Sequence, residues 1–457
     1  MNLLPILRLT SLAAAALLSA CASIQLPEPA PVREARWLEQ NWSAAERHWY
    51  HHASQGTSTF PVPYAWFIAL EQPTLNLFGA PRLLIEPDYL RRFGFIPSPA
   101  ALDDGATARA HGYAASPTAA ASAPAGRAYE GSRDQAWSRP NPDRLPVGFA
   151  RTPGYTDPVT GQPLPDQIGL TCAACHTGHI QYKGTSLLID GGPAVVDMDA
   201  LRYALVYAMA YTYYLPARFD RFAQRVLGAG HDDKAAAALK VELKALIDRI
   251  KAIRDAEERT PGQDVTEGFN RLDALNRIGN AVFAEGLYGS DPKVLGFDPM
   301  RNYARISAPV KYPHIWDASW FDWVQYDASI MQPMVRNAGE ALGVYARVNL
   351  SNPELPLYRS SVPVRALHEM EQQLAGPNPG RIAGPTGRPV GFRGLQAPKW
   401  PADVLGAVDP AQVTEGRRLY AELCQSCHLP PVNEKAFWSG SHWQAPNAAG
   451  ERYLKVP

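Results

Sequence analysis

Two short stretches carry residue types that could do chemistry beyond the reach of ordinary side chains. Cys172-Ala173-Ala174-Cys175-His176 and Cys424-Gln425-Ser426-Cys427-His428 share the pattern Cys-x-x-Cys-His. That spacing suits attachment of a c-type haem. Two thiols add across the two vinyl groups of one porphyrin, and the adjacent histidine swings under the ring to ligate the iron. Cys172, Cys175, Cys424 and Cys427 are therefore the expected thioether residues, and His176 and His428 the expected axial ligands. Two covalent haems would bring redox chemistry that the protein tunes through the ligands and the pocket. With 5 Cys and 11 His in 457 residues, two such pentads are not a product of chance. A four-cysteine zinc site would leave both histidines unexplained. A thioredoxin-like redox pair would need one motif only, in a βαβ setting that the sequence does not suggest.

The fifth cysteine, Cys21, ends Leu18-Ser19-Ala20-Cys21, after an apolar run from Leu12 to Leu18 and a weakly basic start at Arg8. This reads as a signal peptide over residues 1–20 with a lipobox, so that an acylated Cys21 would begin the mature chain. Cleavage after Ala20-Cys21-Ala22 is the rival reading and would release a soluble protein. Either way the chain is exported, and the periplasm is where haem c is attached. No later segment offers an apolar run near the length of a bilayer, so any membrane attachment would be through the lipid anchor. Lys+Arg and Asp+Glu are both 44, which gives no reason to expect a nucleic-acid partner.

Helices have to position these motifs. Proline is frequent, 42 residues of 457, against a usual share of about 5%. The expected fold is mainly α with extensive irregular loops. Residues 21–98 form an N-terminal folded segment, with Trp37, Leu38 and Trp42 at helical spacing and an apolar run from Tyr64 to Leu70. His48, His51 and His52 lie between and are expected to be structural. Residues 99–142 are an Ala/Ser/Pro/Gly-rich insert without chemistry. Residues 143–375 make the first haem domain. Within it Asp199 can cap a helix through Tyr214 with Leu201, Leu205, Ala208 and Tyr211 on its apolar face. Residues 233–259 carry the stripe Leu239, Leu243, Leu246, Ile250, Ile253, which means packing or, less well supported, a coiled coil. Arg271 to Asn280 reads as a helix start, followed by the aromatic cluster Trp316, Trp320, Phe321, Trp323 and Tyr326. A helix from near Pro333 places Arg336 and Glu340 at the spacing of an ion pair. Residues 376–398 are a linker. In the second cytochrome c domain, 399–457, Asp409 and Pro410 start a helix that leads into Cys424. Only 29 residues follow His428, so this domain is expected to be incomplete at the C-terminus.

The block Gly169 to Gly178, with Tyr182-Lys183-Gly184 and Ile189-Asp190-Gly191-Gly192-Pro193, resembles the first haem site of di-haem rubber oxygenase-type cytochromes. The segments Arg271 to Asn280, Pro313 to Asp317, Val324 to Tyr326 and Arg336 to Val344, and the distant second motif, are similar too. The resemblance covers roughly residues 35–98 and 143–457, within the wider superfamily of bacterial di-haem cytochrome c peroxidases. It implies two cytochrome c-like domains. His176 would be the proximal ligand of an active-site haem whose far face binds O2 or H2O2, with Trp316 as the catalytic residue over that face. His428 would serve a six-coordinate electron-transfer haem, whose distal histidine would lie beyond residue 457. The implied substrate is small or polymeric and apolar, and a redox partner protein would exchange electrons. Met331 or Met334 could instead ligate the first iron and close it, and Trp316 could be plain core. The alternatives to a rubber oxygenase-like enzyme are a di-haem cytochrome c peroxidase and a non-catalytic electron-transfer lipoprotein.

Overall fold

The computed structural model describes residues 28–74, 81–98, 141, 143–289, 295–316, 318–320, 323–325, 330–376, 394–430, and beyond these 434, 436–437, 439–445 and 448. The signal peptide with Cys21, nearly all of the 99–142 insert, Phe321, Tyr326 and residues 377–393 of the linker lie outside them.

A short sheet frames the first motif. Strand β1 (Glu34–Trp37) runs parallel to β5 (Thr185–Asp190), and β5 pairs antiparallel with β4 (Thr177–Tyr182). Lys183 and Gly184 turn the hairpin with φ of 48° and 86°, the two left-handed residues that a tight hairpin of this twist requires. Trp37 thus ends a strand, not a helix. The edge of β5 offers backbone partners to residues 34–37, and the first helix starts later, where Ser43 and Glu46 form a reciprocal capping box. That helix, α1, spans Ala44–His52. A second antiparallel pair, β2 (Phe149–Thr152) with β3 (Gln167–Leu170), leads straight into the motif. The motif itself opens with a one-turn helix, α3 (Cys172–Cys175). Between β1 and β2 lies α2 (Tyr64–Ala69), which buries Tyr64, Trp66 and Phe67.

Behind the sheet three helices form the main core. They are α4 (Met198–Tyr214), α5 (Pro216–Leu227) and α6 (Asp233–Glu258). Leu201, Leu205, Ala208 and Tyr211 are all buried, as the helical spacing predicts. Leu239 and Leu243 of α6 complete the layer against Phe219 and Phe222, with Leu246 and Ile250 at its margin, so the stripe is used for packing within the chain. The cap of α4 is Asp197, which accepts from the Ala200 amide at 2.9 Å. Asp199 falls in the first turn and pairs with Arg277 at 2.5 Å. Likewise Arg271–Leu272 is a strand, and the helix starts only at α7 (Ala274–Phe283). Asp273 decides this, because its carboxylate takes the amides of Asn276, Ser307 and Ala308.

Of two further helices, α8 (Pro333–Gly343) packs beside α7 and α9 (Val364–Ala375) packs on α8. Gly343 allows the approach, since a Cβ there would lie 2.3 Å from Ile278. Last comes α10 (Pro410–Leu423), capped by Asp409, followed by the turn α11 (Gln425–His428). No residue of α10 is buried. The fold is helix-rich and mixed, with 44% of the described residues helical and 13% in strands, so strands take a larger share around the first motif than its sequence suggests.

Candidate functional site

The first motif is positioned from both ends. Thr171 caps α3 by accepting from the Ala173 amide at 3.2 Å, and its own hydroxyl donates to the carbonyl of His51. Gly148 is needed beneath it. Its φ is 90°, and a Cβ there would meet the Ala174 backbone at 2.3 Å. Beyond the turn, the His176 amide donates back to the carbonyl of Cys172 at 2.9 Å. Ala173 and Ala174 are buried, while Cys172, Cys175 and His176 are only half-buried.

The His176 ring is fixed by one bond. Nδ1 lies 2.8 Å from the carbonyl oxygen of Pro313. A carbonyl only accepts, so Nδ1 carries the proton and the lone pair sits on Nε2. Burial holds the ring's pKa down to about 4, with the Pro313 bond opposing, so the ring is neutral near pH 7. A neutral imidazole with a free Nε2 and an anchored Nδ1–H is what an iron ligand needs.

The thiols are equally constrained. Burial pushes both Cys172 and Cys175 up to about 12. Gln55 donates to Cys172 Sγ at 2.9 Å. Tyr312 Oη is buried without a hydrogen-bond partner of ordinary geometry, yet it sits close enough to Cys175 to favour that thiolate. A redox-active dithiol needs a depressed pKa, and these two are raised. Both are free in the structure. Among the described residues no group of three or more His, Cys, Asp or Glu converges to hold a metal ion, as a zinc site would require. Two protonated thiols beside one neutral, oriented histidine match the donor set of a haem c site.

Charged groups of α8 and α9 border the same thiols. Arg336 and Glu340 lie 3.9 Å apart, the ion pair expected from their spacing, and Arg336 also reaches Glu371 at 3.5 Å. Asn337 donates to Glu371 at 2.9 Å, but the second carboxylate oxygen of Glu371 is buried without a partner. Burial raises the Glu340 pKa against the pull of Arg336. One arginine faces two carboxylates here. Met334 packs with Ala341, Ala346 and Leu367, whereas Met331 is exposed.

Trp316 is half-buried. Its indole N–H donates to the carbonyl of Asp190 at 2.8 Å, and its ring stacks on His314 with centroids 4.8 Å apart. It sits on the segment that supplies the Pro313 carbonyl. The side chains of Trp320 and Trp323 lie outside the described residues.

In the second motif the backbone repeats the first. The His428 amide donates to the carbonyl of Cys424 at 2.8 Å, so the thiols again flank one turn. Cys427 and His428 are exposed, and so are Val413, Leu419 and Leu423 on the helix that leads in. The local geometry fits a second haem c.

The sequence pattern singles out Cys172, Cys175 and His176 but not the residues that hold them in place. Gln55, Tyr312 and Glu371 are distant in sequence, and the acceptor for His176 is a backbone carbonyl, which no side-chain pattern can reveal.

One relative is extensive. The chain is 46% identical over 443 residues to a protein of Sinorhizobium fredii (strain NBRC 101917 / NGR234) that bears the name uncharacterized protein y4iJ. The match takes in 95% of this chain and spans 64% of that relative's length. No family model and no solved structure matches the chain.

Proposed function

We propose that this chain is an exported di-haem c-type cytochrome acting as an oxidoreductase, in which the first site binds O2 or peroxide and the second transfers electrons. The observation that carries the reading is the bond from His176 Nδ1 to the Pro313 carbonyl at 2.8 Å. It leaves Nε2 as the free donor, next to two thiols held protonated for thioether formation. When bound, the first haem would supply the reducible iron that takes up the oxidant.

The residues divide the work. Cys172 and Cys175 would hold the macrocycle, and His176 would supply a nitrogen ligand to its iron. Cys424, Cys427 and His428 would do the same at the second site. Arg336, Glu340 and Glu371 place one guanidinium and two carboxyl groups beside the first motif, polar groups that oxygen or peroxide chemistry uses and simple electron carriage does not need. That group favours the enzyme over the electron-transfer lipoprotein. It also favours a small polar oxidant as the first reactant, whether the second is an apolar hydrocarbon or peroxide alone. No described helix is long and apolar enough to cross a membrane, and the lipid anchor on Cys21 remains part of the proposal.

The direct test is haem stoichiometry in the protein matured in a host that attaches haem c. Two covalent haems per chain are expected by pyridine haemochrome assay, one after C172S with C175S, and one after C424S with C427S. A wild-type chain without covalent haem would end the proposal.

A further inference from the structure

The first motif is backed by a buried ionic centre that haem attachment itself does not use. Asp190 ends β5 with its carboxylate fully buried. Oδ1 lies 2.7 Å from His51 Nε2 and Oδ2 lies 2.6 Å from Arg47 Nε. Gln40 grips the same residue by its backbone, accepting from the Asp190 amide at 2.8 Å and donating to its carbonyl at 2.7 Å. That carbonyl also accepts from the Trp316 indole at 2.8 Å.

These contacts converge on His176 from two directions. The Gly191 amide, next in the chain, donates to the His176 carbonyl at 2.8 Å, and Tyr50 Oη donates to the same oxygen at 3.0 Å. The Gly191 carbonyl accepts from the Ile315 amide at 2.9 Å. Ile315 and Trp316 belong to the segment whose Pro313 carbonyl holds His176 Nδ1. The Asp190-Gly191 backbone is thus the common point that fixes both the main chain of His176 and the acceptor of its ring. Burying a carboxylate costs several kcal/mol unless it is fully paired, and here both oxygens are paired. His51 Nδ1 is buried without a partner, as fits a neutral ring that gives its one proton to Asp190.

We propose that Asp190, held by His51, Arg47 and Gln40, is a positioning residue for the axial histidine, and that Trp316 transmits this as the tie between Asp190 and the Pro313 segment. Trp316 then acts from the histidine side, not directly on the bound oxidant. The inference rests on the haem reading above.

The test uses the mature full-length protein with Asp190→Ala, Asp190→Asn and Trp316→Phe. Trp316→Phe deletes the indole donor and keeps an aromatic ring. The readouts are covalent haem content, electron paramagnetic resonance g-values and the midpoint potential of each haem. The expected result is unchanged haem content with shifted g-values and potential at the first haem alone, smaller in Asp190→Asn than in Asp190→Ala. Should Asp190→Ala fail to fold, Trp316→Phe carries the test. Wild-type g-values and potential in a folded Trp316→Phe or Asp190→Asn protein would overturn the clamp while leaving the haem reading intact. Absence of haem from the wild type would overturn both.

Discussion

At the scale of single residues, the hydrogen-bond partners decide what each histidine does. His176, half-buried, and His52, buried, are both neutral, but their nitrogens are used differently. Nδ1 of His52 donates to the Phe149 carbonyl at 2.9 Å, and Nε2 accepts from the Asn141 amide at 3.3 Å. A second proton would set a donor against a donor. Burial, followed by the neighbouring His51 and His48, holds the His52 pKa well below its ordinary value of 6.5. The unfolded chain therefore binds a proton below pH 6.5 that the folded chain refuses. Stability is full above that pH and falls as the pH drops, by up to about 1.4 kcal/mol per pH unit for this one group. Urea midpoints at pH 7.5 and pH 5 should show the fall, and His52→Gln should reduce it. An equal fall in that variant would remove His52 as a cause. The same reasoning separates attachment from ligation. His176→Ala should retain both thioethers at the first motif but lose its axial ligand, seen as intact covalent haem with a changed visible spectrum and loss of turnover.

At the scale of elements, local rules and tertiary contacts divide the fold between them. The α6 stripe was readable because its apolar residues recur every three or four positions, and Leu243 is fully buried among them. Leu243→Ala should destabilise the protein by about 2–5 kcal/mol, and Asp197→Ala, which removes the cap of α4, by about 1 kcal/mol. Chemical denaturation measures both, and equal effects would mean that the cap or the helix stack is misassigned. The helices starting at Pro333 and Pro410 were legible for the same local reasons, a proline in the first turn and a polar cap. Trp37 was not. Its helical spacing with Leu38 and Trp42 competes with the free edge of β5, 151 residues away, and pairing with Leu188 wins. Asp190 was legible only as part of a turn, because its role depends on His51 and Arg47 from α1 and on Trp316 from a distant loop. Periodicity reports local faces, and a site assembled from four separate segments has no period.

At the scale of the whole molecule, the two motifs share a backbone turn but sit in different surroundings. The first lies among buried residues from at least four segments, with Arg336, Glu340 and Glu371 near its thiols. The second lies at the end of a helix with no buried residue. This asymmetry supports a division of labour. In the full-length protein His428→Ala should slow electron supply while the first haem still binds CO, and full turnover in that variant would contradict the division. The central claim is that the first iron has one face open to an oxidant, and it has a direct test. Visible and electron paramagnetic resonance spectra of the full-length mature protein should be recorded as isolated and after dithionite, CO and air. The account predicts two haems, of which one binds CO on reduction or carries a stable oxygen adduct as isolated. Two low-spin haems that both ignore CO would contradict it, and the protein would then be an electron carrier.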